Sequence, residues 1–176
     1  MYYYVTPCGP ITPPQCQECL VKERGRVRGI AFVKDDFVFA DITDAAEWNV
    51  GILAGNIFVV PETRGAVTIS PVETEGFGDT KQSVDGYDYE INGVDPVYTS
   101  AQCTFWNDIK KANNFKIAYK TENFVHLSDN TVSTAAPPPV EDDLNSNVMH
   151  NFIIKFSQVD AVCPQDAPGG IFECNE

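Results

Sequence analysis

Residues 27–40 read VRGIAFVKDDFVFA, and this stretch decides the fold class. It contains two short apolar runs rich in β-branched and aromatic residues, residues 30–33 and 37–40, on either side of the acidic pair Asp35-Asp36. Apolar runs of this length bounded by turn residues are typical of strands. The stretch therefore predicts a β-hairpin that turns at Asp35-Asp36.

Comparable strand patterns recur along the rest of the chain, and Pro61 and Pro71 are expected to close two of them. Residues 73–86 are polar and contain glycine, which predicts an exposed loop or a long hairpin tip. The sum is about eight strands, which predicts a mainly β (α+β) sandwich or barrel. The further strands are residues 57–60, 65–70, 88–91, 115–121, 123–128 and a long strand in which Phe152, Ile154 and Phe156 share one face.

One main helix is predicted over residues 101–113. Thr99 and Gln102 have the spacing of a capping box, and Phe105 begins an apolar face. Cys103 in this helix is interpreted as a small core residue.

A shorter helix is expected to begin at Asp44, whose side chain can cap it, and to pass through Trp48. Gly51 and Gly55 limit its length.

Three segments differ in composition, and 176 residues suit a single core. We expect a Cys- and Pro-rich N-terminal arm at residues 1–22 and a β-sandwich core at residues 23–160. An extended loop at residues 129–147 belongs to that core. A Pro- and Gly-rich C-terminal tail at residues 161–176 completes the chain.

The chain is strongly acidic, with 25 Asp and Glu against 12 Lys and Arg and a formal net charge of −13. Tight nucleic-acid binding needs clustered Lys and Arg side chains, so direct binding of DNA or RNA is not expected. No apolar run approaches the roughly 18 residues of a membrane span. The first residues lack the features of a signal peptide. We therefore expect that the protein is synthesised in a cytoplasm. We expect no association with a membrane.

The densest positive stretch holds Arg24, Arg26 and Arg28 at every second position. In an extended segment this spacing places the three side chains on one face, where they could pair with carboxylates of a neighbouring molecule. The alternative is a solvated strand face.

The sequence shows no recognisable catalytic machinery. His126 and His150 both lie in predicted strands, and no G-x-S-x-G pattern accompanies them. Phosphate-binding glycine motifs do not occur either, so neither an enzyme nor a cofactor is expected.

The cysteines leave three alternatives open. Cys16 and Cys19 form a C-x2-C pair that could bind zinc together with Cys163 and Cys174, although the spacing of the second pair is unusual. A disulfide could instead join Cys8 or Cys16 to Cys163 or Cys174. The third alternative is free thiols.

Four stretches give the chain a loose resemblance to known proteins. They are residues 28–32 (RGIAF), residues 42–48 (ITDAAEW) leading to Ala54-Gly55, residues 105–109 (FWNDI) and residues 168–172 (PGGIF). Their order resembles small structural proteins of tailed phages that infect Bacteroidetes, including the crAss-like group. The Cys-rich arm and the proline segment around Pro138 depart from that pattern.

The resemblance implies a tail-tube-like subunit that assembles into a ring in the tail or the head-tail connector of a virion. Its partners would be copies of itself and other tail or connector proteins, with DNA only in passage and assembly in the host cytoplasm. An acidic wall suits this role because it repels phosphates. We assign the subunit interface to Arg24, Arg26, Arg28, Glu141, Asp142 and Asp143.

Two other functions compete with the ring subunit. One is a capsid decoration or fibre-attachment protein. The other is a carbohydrate-binding surface module, for which Trp48 and Trp106 could supply aromatic surfaces, although tryptophans in amphipathic helices more often belong to the core.

Overall fold

The computed structural model describes residues 25–74, 83–136 and 148–173, and the predicted N-terminal arm at residues 1–22 lies outside them. The described residues form ten strands and two helices. The helices are α1 (Ala45–Leu53) and α2 (Ser100–Ile109). The strands are β1 (Arg26–Val27), β2 (Gly29–Lys34), β3 (Ile57–Val60), β4 (Arg64–Thr74), β5 (Ser83–Asp95), β6 (Phe115–Lys120), β7 (Phe124–Leu127), β8 (Ser133–Ala135), β9 (His150–Gln158) and β10 (Gln165–Asp166).

The strands form two antiparallel sheets of five. The first sheet has the order β1-β4-β5-β9-β8, and the second has the order β10-β7-β6-β2-β3. The predicted mainly β class with a flanking helix is confirmed, with ten strands in place of about eight. Among the described residues, no helix is long and apolar enough to cross a bilayer.

The main core lies between the two sheets. Ile91 and Phe152 of the first sheet belong to the same buried cluster as Phe32 and Ile117 of the second. Trp106 of α2 completes it, because its ring stacks on Phe152 at 5.1 Å and meets Phe32 edge-on at 6.1 Å. The main helix therefore closes the sandwich from one side.

The second sheet is buried on both faces. Phe32 of β2 faces the first sheet, whereas Ala31 and Val33 belong to a second cluster with Trp48 of α1 and Phe172 of the C-terminal segment. A strand covered on both sides has no polar face, which is why residues 30–33 form an unbroken apolar run.

The predicted hairpin across Asp35-Asp36 is wrong. β2 bonds to β3 on one edge and to β6 on the other, so residues 37–40 have no free edge to pair with. Residues 37–40 are instead irregular, and the rings of Phe37 and Phe39 pack against each other. The Phe39 ring lies on Trp48, with ring centroids 4.8 Å apart. Their apolar character reflects this cover over α1.

Pro71 does not close its strand, because β4 runs through it to Thr74. Only Gly65 and Ala66 of β4 pair with β1. Beyond Ala66 the outer edge of β4 has no partner among the described residues, and an edge strand tolerates the missing N–H of proline.

Both helices begin where predicted. The Asp44 side chain accepts a hydrogen bond from the Ala46 N–H at 2.9 Å, and Thr99 accepts one from the Gln102 N–H at 3.2 Å. The main helix ends at Ile109 rather than 113. The next two N–H groups after the C-cap bond to carbonyls three residues back, a tighter turn that ends an α-helix. Cys103 is exposed, so its assignment to the core is wrong.

The strands from β6 to β9 agree in part with the sequence-based predictions. β6 and β7 form the predicted hairpin, and β9 buries Phe152, Ile154 and Phe156 on one face. The loop expected at residues 129–147 contains β8, which pairs with β9, and its remainder from 137 lies outside the described residues.

Candidate functional site

The chain crosses between the two sheets twice at the same end of the sandwich. β1 belongs to the first sheet and β2 to the second, and the Arg28 N–H between them donates to the Lys120 carbonyl at 2.8 Å. Residues 61–63 make the other crossing, from β3 to β4. Two adjacent crossings leave a gap at the seam between the sheets.

This gap is a concavity of about 820 Å³, called the arginine groove below. It lies where β4 starts, β5 ends and β9 starts, so non-local strand pairing builds its walls. Its described lining residues are Arg26, Val27, Arg28, Glu62, Thr63, Arg64, Val94, Pro96 and Met149.

All three described arginines line the groove. Arg26 and Arg28 are exposed on either side of the fully buried Val27, as the alternating pattern predicts. Arg64 joins them because the register places Val27 of β1 opposite Gly65 of β4. The sequence holds one further arginine, Arg24, which lies outside the described residues.

The three guanidinium groups differ in their partners. Arg28 forms an ion pair with Glu122 at 3.5 Å. Neither Arg26 nor Arg64 forms an ion pair with a residue in the described ranges. Glu62 also lines the groove, so the described lining carries three positive charges and one negative charge. The groove is locally basic in a chain of net charge −13.

Thr63 contributes a buried hydroxyl to the same groove. Its side chain is 1% exposed, and its Oγ1 has no hydrogen-bond partner in the part of the chain described. Leaving a buried polar group unsatisfied costs about 1–3 kcal/mol. A ligand that bonds this hydroxyl would recover that cost.

The backbone beside Thr63 is strained. Glu62 has a φ of 60°, in the left-handed region, and is the one non-glycine residue with positive φ in the described ranges. This conformation costs a residue with a Cβ about 1–2 kcal/mol. Such outliers cluster at binding sites, where the surrounding structure holds them in place.

A second candidate surface is the hairpin arm, defined as Val67–Thr74 of β4 with the paired Ser83–Ile91 of β5. Val67 packs against the core, whereas Ile69 shares its face two residues on and is 52% exposed. The apolar face of β4 therefore extends beyond the part of the strand that the core covers. Val72 and Val84 add exposed apolar surface near the end of the arm.

The other residues predicted as sites are placed only in part. Glu141, Asp142 and Asp143 lie outside the described residues, and so do Cys16, Cys19 and Cys174. Cys163 is exposed and its thiol is free. The described ranges hold no cluster of three or more His, Cys, Asp or Glu side chains arranged to hold a metal ion.

The predicted aromatic and histidine positions are now located. His126 stacks on Tyr119 in β7 and β6 with centroids 4.7 Å apart, and His150 is buried at the start of β9. Trp48 and Trp106 are both buried, so neither presents a ring to a sugar in this structure.

Sequence reasoning missed Arg64 and Thr63. The chain places them almost forty positions after Arg26, and only the pairing of β1 with β4 brings them together. The one signal available was that Arg64 is the fourth of four arginines and follows the turn residue Pro61 closely.

No protein-family model, no curated protein and no solved structure matches this chain.

Proposed function

We propose that the chain is a virion structural protein, a subunit of an oligomeric ring in a phage tail or head-tail connector through which DNA passes. The assignment to a phage particle rests on the sequence resemblance to phage structural proteins. Its physical support is a fold with surfaces suited to pairing with copies of itself.

The observation that carries the proposal is the hairpin arm. Its outer edge on β4 has no strand partner among the described residues, and Ile69 continues a core-facing apolar row into solvent. An unpaired edge beside exposed apolar side chains is a template for another strand or sheet. A neighbouring subunit packed there would satisfy both the edge and the apolar row.

Charge supports the passage of DNA through such a ring. A net charge of −13 gives the assembled wall a field that repels phosphates, so a duplex slides instead of binding. The positive charge of the arginine groove is confined to one seam between the sheets. Local pairing with a neighbour would neutralise it.

A capsid decoration or fibre-attachment protein is the alternative that shares these surfaces. It would use the hairpin arm against a different protein and would not close into rings on its own. The carbohydrate-binding alternative loses its two aromatic candidates, because Trp48 and Trp106 are buried.

The test is the mass of the purified protein in solution over a range of concentrations, with negative-stain imaging of any large species. Closed rings with a central hole are expected at high concentration. A protein that remains monomeric at every concentration would contradict self-assembly and favour the decoration alternative.

A matched pair of variants assigns the interface. Replacing Ile69 and Val72 by lysine (I69K, V72K) is expected to shift the assembly threshold at least about tenfold, since charged ends cannot pack against an apolar neighbour. The control replaces Val38 and Leu53 by lysine, because both are more exposed and lie off the arm. Equal loss of assembly in both variants would exclude the hairpin arm as the specific contact.

A further inference from the structure

Arg26 and Arg64 of the arginine groove are neighbours on the outward face of the first sheet. Arg26 of β1 pairs with Ala66 of β4, and Ala66 shares a face with Arg64 because alternate side chains on a strand point the same way. Val67 packs against the core, so this shared face points outward. Like charges at such diagonal positions repel each other, and neither arginine forms an ion pair within the described ranges. An anionic ligand would relieve this repulsion.

Apolar side chains adjoin the two arginines at this end of the sandwich. Pro96 and Met149 line the groove, and Met149 is exposed. Val97 and Tyr98 follow Pro96 directly in the chain and are exposed as well. Cations beside exposed apolar surface suit a protein segment that carries both carboxylates and apolar side chains, because protein interfaces match charge with opposite charge and apolar surface with apolar surface.

The far end of the hairpin arm presents such a segment. Glu73 of β4 pairs with Val84 of β5, and the register shifts next to this pair, which leaves Asp85 as an extra residue of β5. Glu73 and Asp85 are both exposed, and Glu73 forms no ion pair with a described residue. The Thr74 hydroxyl donates a hydrogen bond to the Asp85 carboxylate, whose negative charge remains. Val72 and Val84 add exposed apolar surface beside these two carboxylates.

The arm of one molecule cannot reach the groove of the same molecule. β4 leaves the groove at Arg64 and arrives at Glu73 nine residues later, which is roughly 30 Å of extended strand. Its pairing with β5 continues over this whole length, so the arm cannot fold back. The two carboxylates of the arm therefore meet an arginine groove only in a second copy. A contact between opposite ends of two copies is head-to-tail, and such contacts close into a ring when the rotation between copies permits it.

We propose that the arginine groove binds the far end of the hairpin arm of a second copy of this chain. Arg26 and Arg64 of one copy pair with Glu73 and Asp85 of the next copy, and the exposed valines of the arm pack against the apolar side chains around the groove. This inference rests on the proposed ring, for which it supplies the contact between neighbouring subunits.

The test reverses the charges of the two surfaces separately and then together. The groove variant is R26E with R64E, and the arm variant is E73K with D85K. Each variant alone is expected to raise the protein concentration needed for association at least about tenfold, because like charges then face each other across the contact. Sedimentation velocity over a range of concentrations measures the association, and circular dichroism confirms that each variant is folded.

Combining all four substitutions in one chain tests whether the two surfaces meet. The combined variant again places opposite charges on the groove and the arm, and its net charge equals that of the parent. It is expected to associate at concentrations within about threefold of those of the parent. An equimolar mixture of the groove variant and the arm variant is expected to associate as well, since each surface then meets a partner of opposite charge. Failure of the combined variant or of the mixture to associate overturns the proposal.

Matched controls change the net charge equally at other exposed positions. K110E with K111E, after α2, matches the groove variant, and D36K with D108K matches the arm variant. Both controls are expected to associate at concentrations within about twofold of those of the parent, since salt screens exposed charges outside the contact. A control that loses association as fully as the variant it matches also overturns the proposal.

The outcomes for the contact and for the ring are separable. Closed rings that persist in both the groove variant and the arm variant overturn the contact between arm and groove and leave the ring standing. Association that stops at pairs or open chains, with the same loss and rescue, supports this contact and contradicts the ring. A parent that does not associate at any concentration overturns both.

Discussion

Gly65 shows how closely the groove end of the first sheet is packed. A Cβ at this position would lie 2.6 Å from the Asn92 carbonyl oxygen and 3.1 Å from the Gly93 Cα. These are backbone atoms between β4 and β5, so they cannot move aside as a side chain would. Only glycine permits the pairing that brings Arg64 next to β1.

Replacing Gly65 by alanine is therefore expected to lower the free energy of unfolding by about 1–3 kcal/mol, the usual cost of overpacking. Urea denaturation followed by circular dichroism measures it. Gly169 is the control, because a Cβ there meets nothing within 4 Å. A G65A protein as stable as G169A would show that the two strands are less tightly paired.

Glu62 gives the opposite prediction at the same site. Its φ of 60° favours glycine, which has no Cβ to clash in the left-handed region. Glu62→Gly is expected to raise the free energy of unfolding by about 0.5–1 kcal/mol. Glu73→Gly, in extended strand, is expected to lower it by a similar amount.

At the scale of elements, helix capping could be predicted from local sequence. Asp44 and Thr99 can be recognised as caps because a capping side chain and the backbone N–H that donates to it lie within three residues of each other. Asp44→Ala is expected to cost about 1 kcal/mol of stability. The control Asp36→Ala lies in an exposed turn outside any helix, and a comparable loss there would indicate a general charge effect instead of lost capping.

Strand partners could not be predicted in the same way. The run at residues 30–33 identified a buried strand, yet its partners β3 and β6 come from about 25 and 85 residues further on. A local hairpin to residues 37–40 satisfied every local rule and is wrong, because both edges of β2 are already paired. The groove was half predicted for the same reason: Arg26 and Arg28 follow from alternation, and Arg64 follows only from non-local register.

At the scale of the whole molecule, the two sheets share one buried core. Tyr119 of β6 belongs to this core together with Tyr89 of β5. Burial raises the pKa of the Tyr119 phenol well above its ordinary value, and the nearby Tyr89 raises it further. The folded protein therefore favours the neutral phenol more strongly than the unfolded chain does.

A raised pKa contributes stability that is complete below the unfolded pKa of about 10 and is lost as pH rises above that value. The free energy of unfolding is thus expected to fall by up to about 1.4 kcal/mol per pH unit above pH 10 through this group. The Tyr119→Phe protein lacks this ionisable group, so its loss of stability between pH 10 and pH 11 should be smaller by about 1 kcal/mol. Tyr98→Phe, at a position 56% exposed, is the control for removing a phenol outside the core. Denaturation curves collected at each pH compare the three proteins, and identical slopes for the parent and Y119F would mean that the core between the sheets opens to solvent before the molecule unfolds.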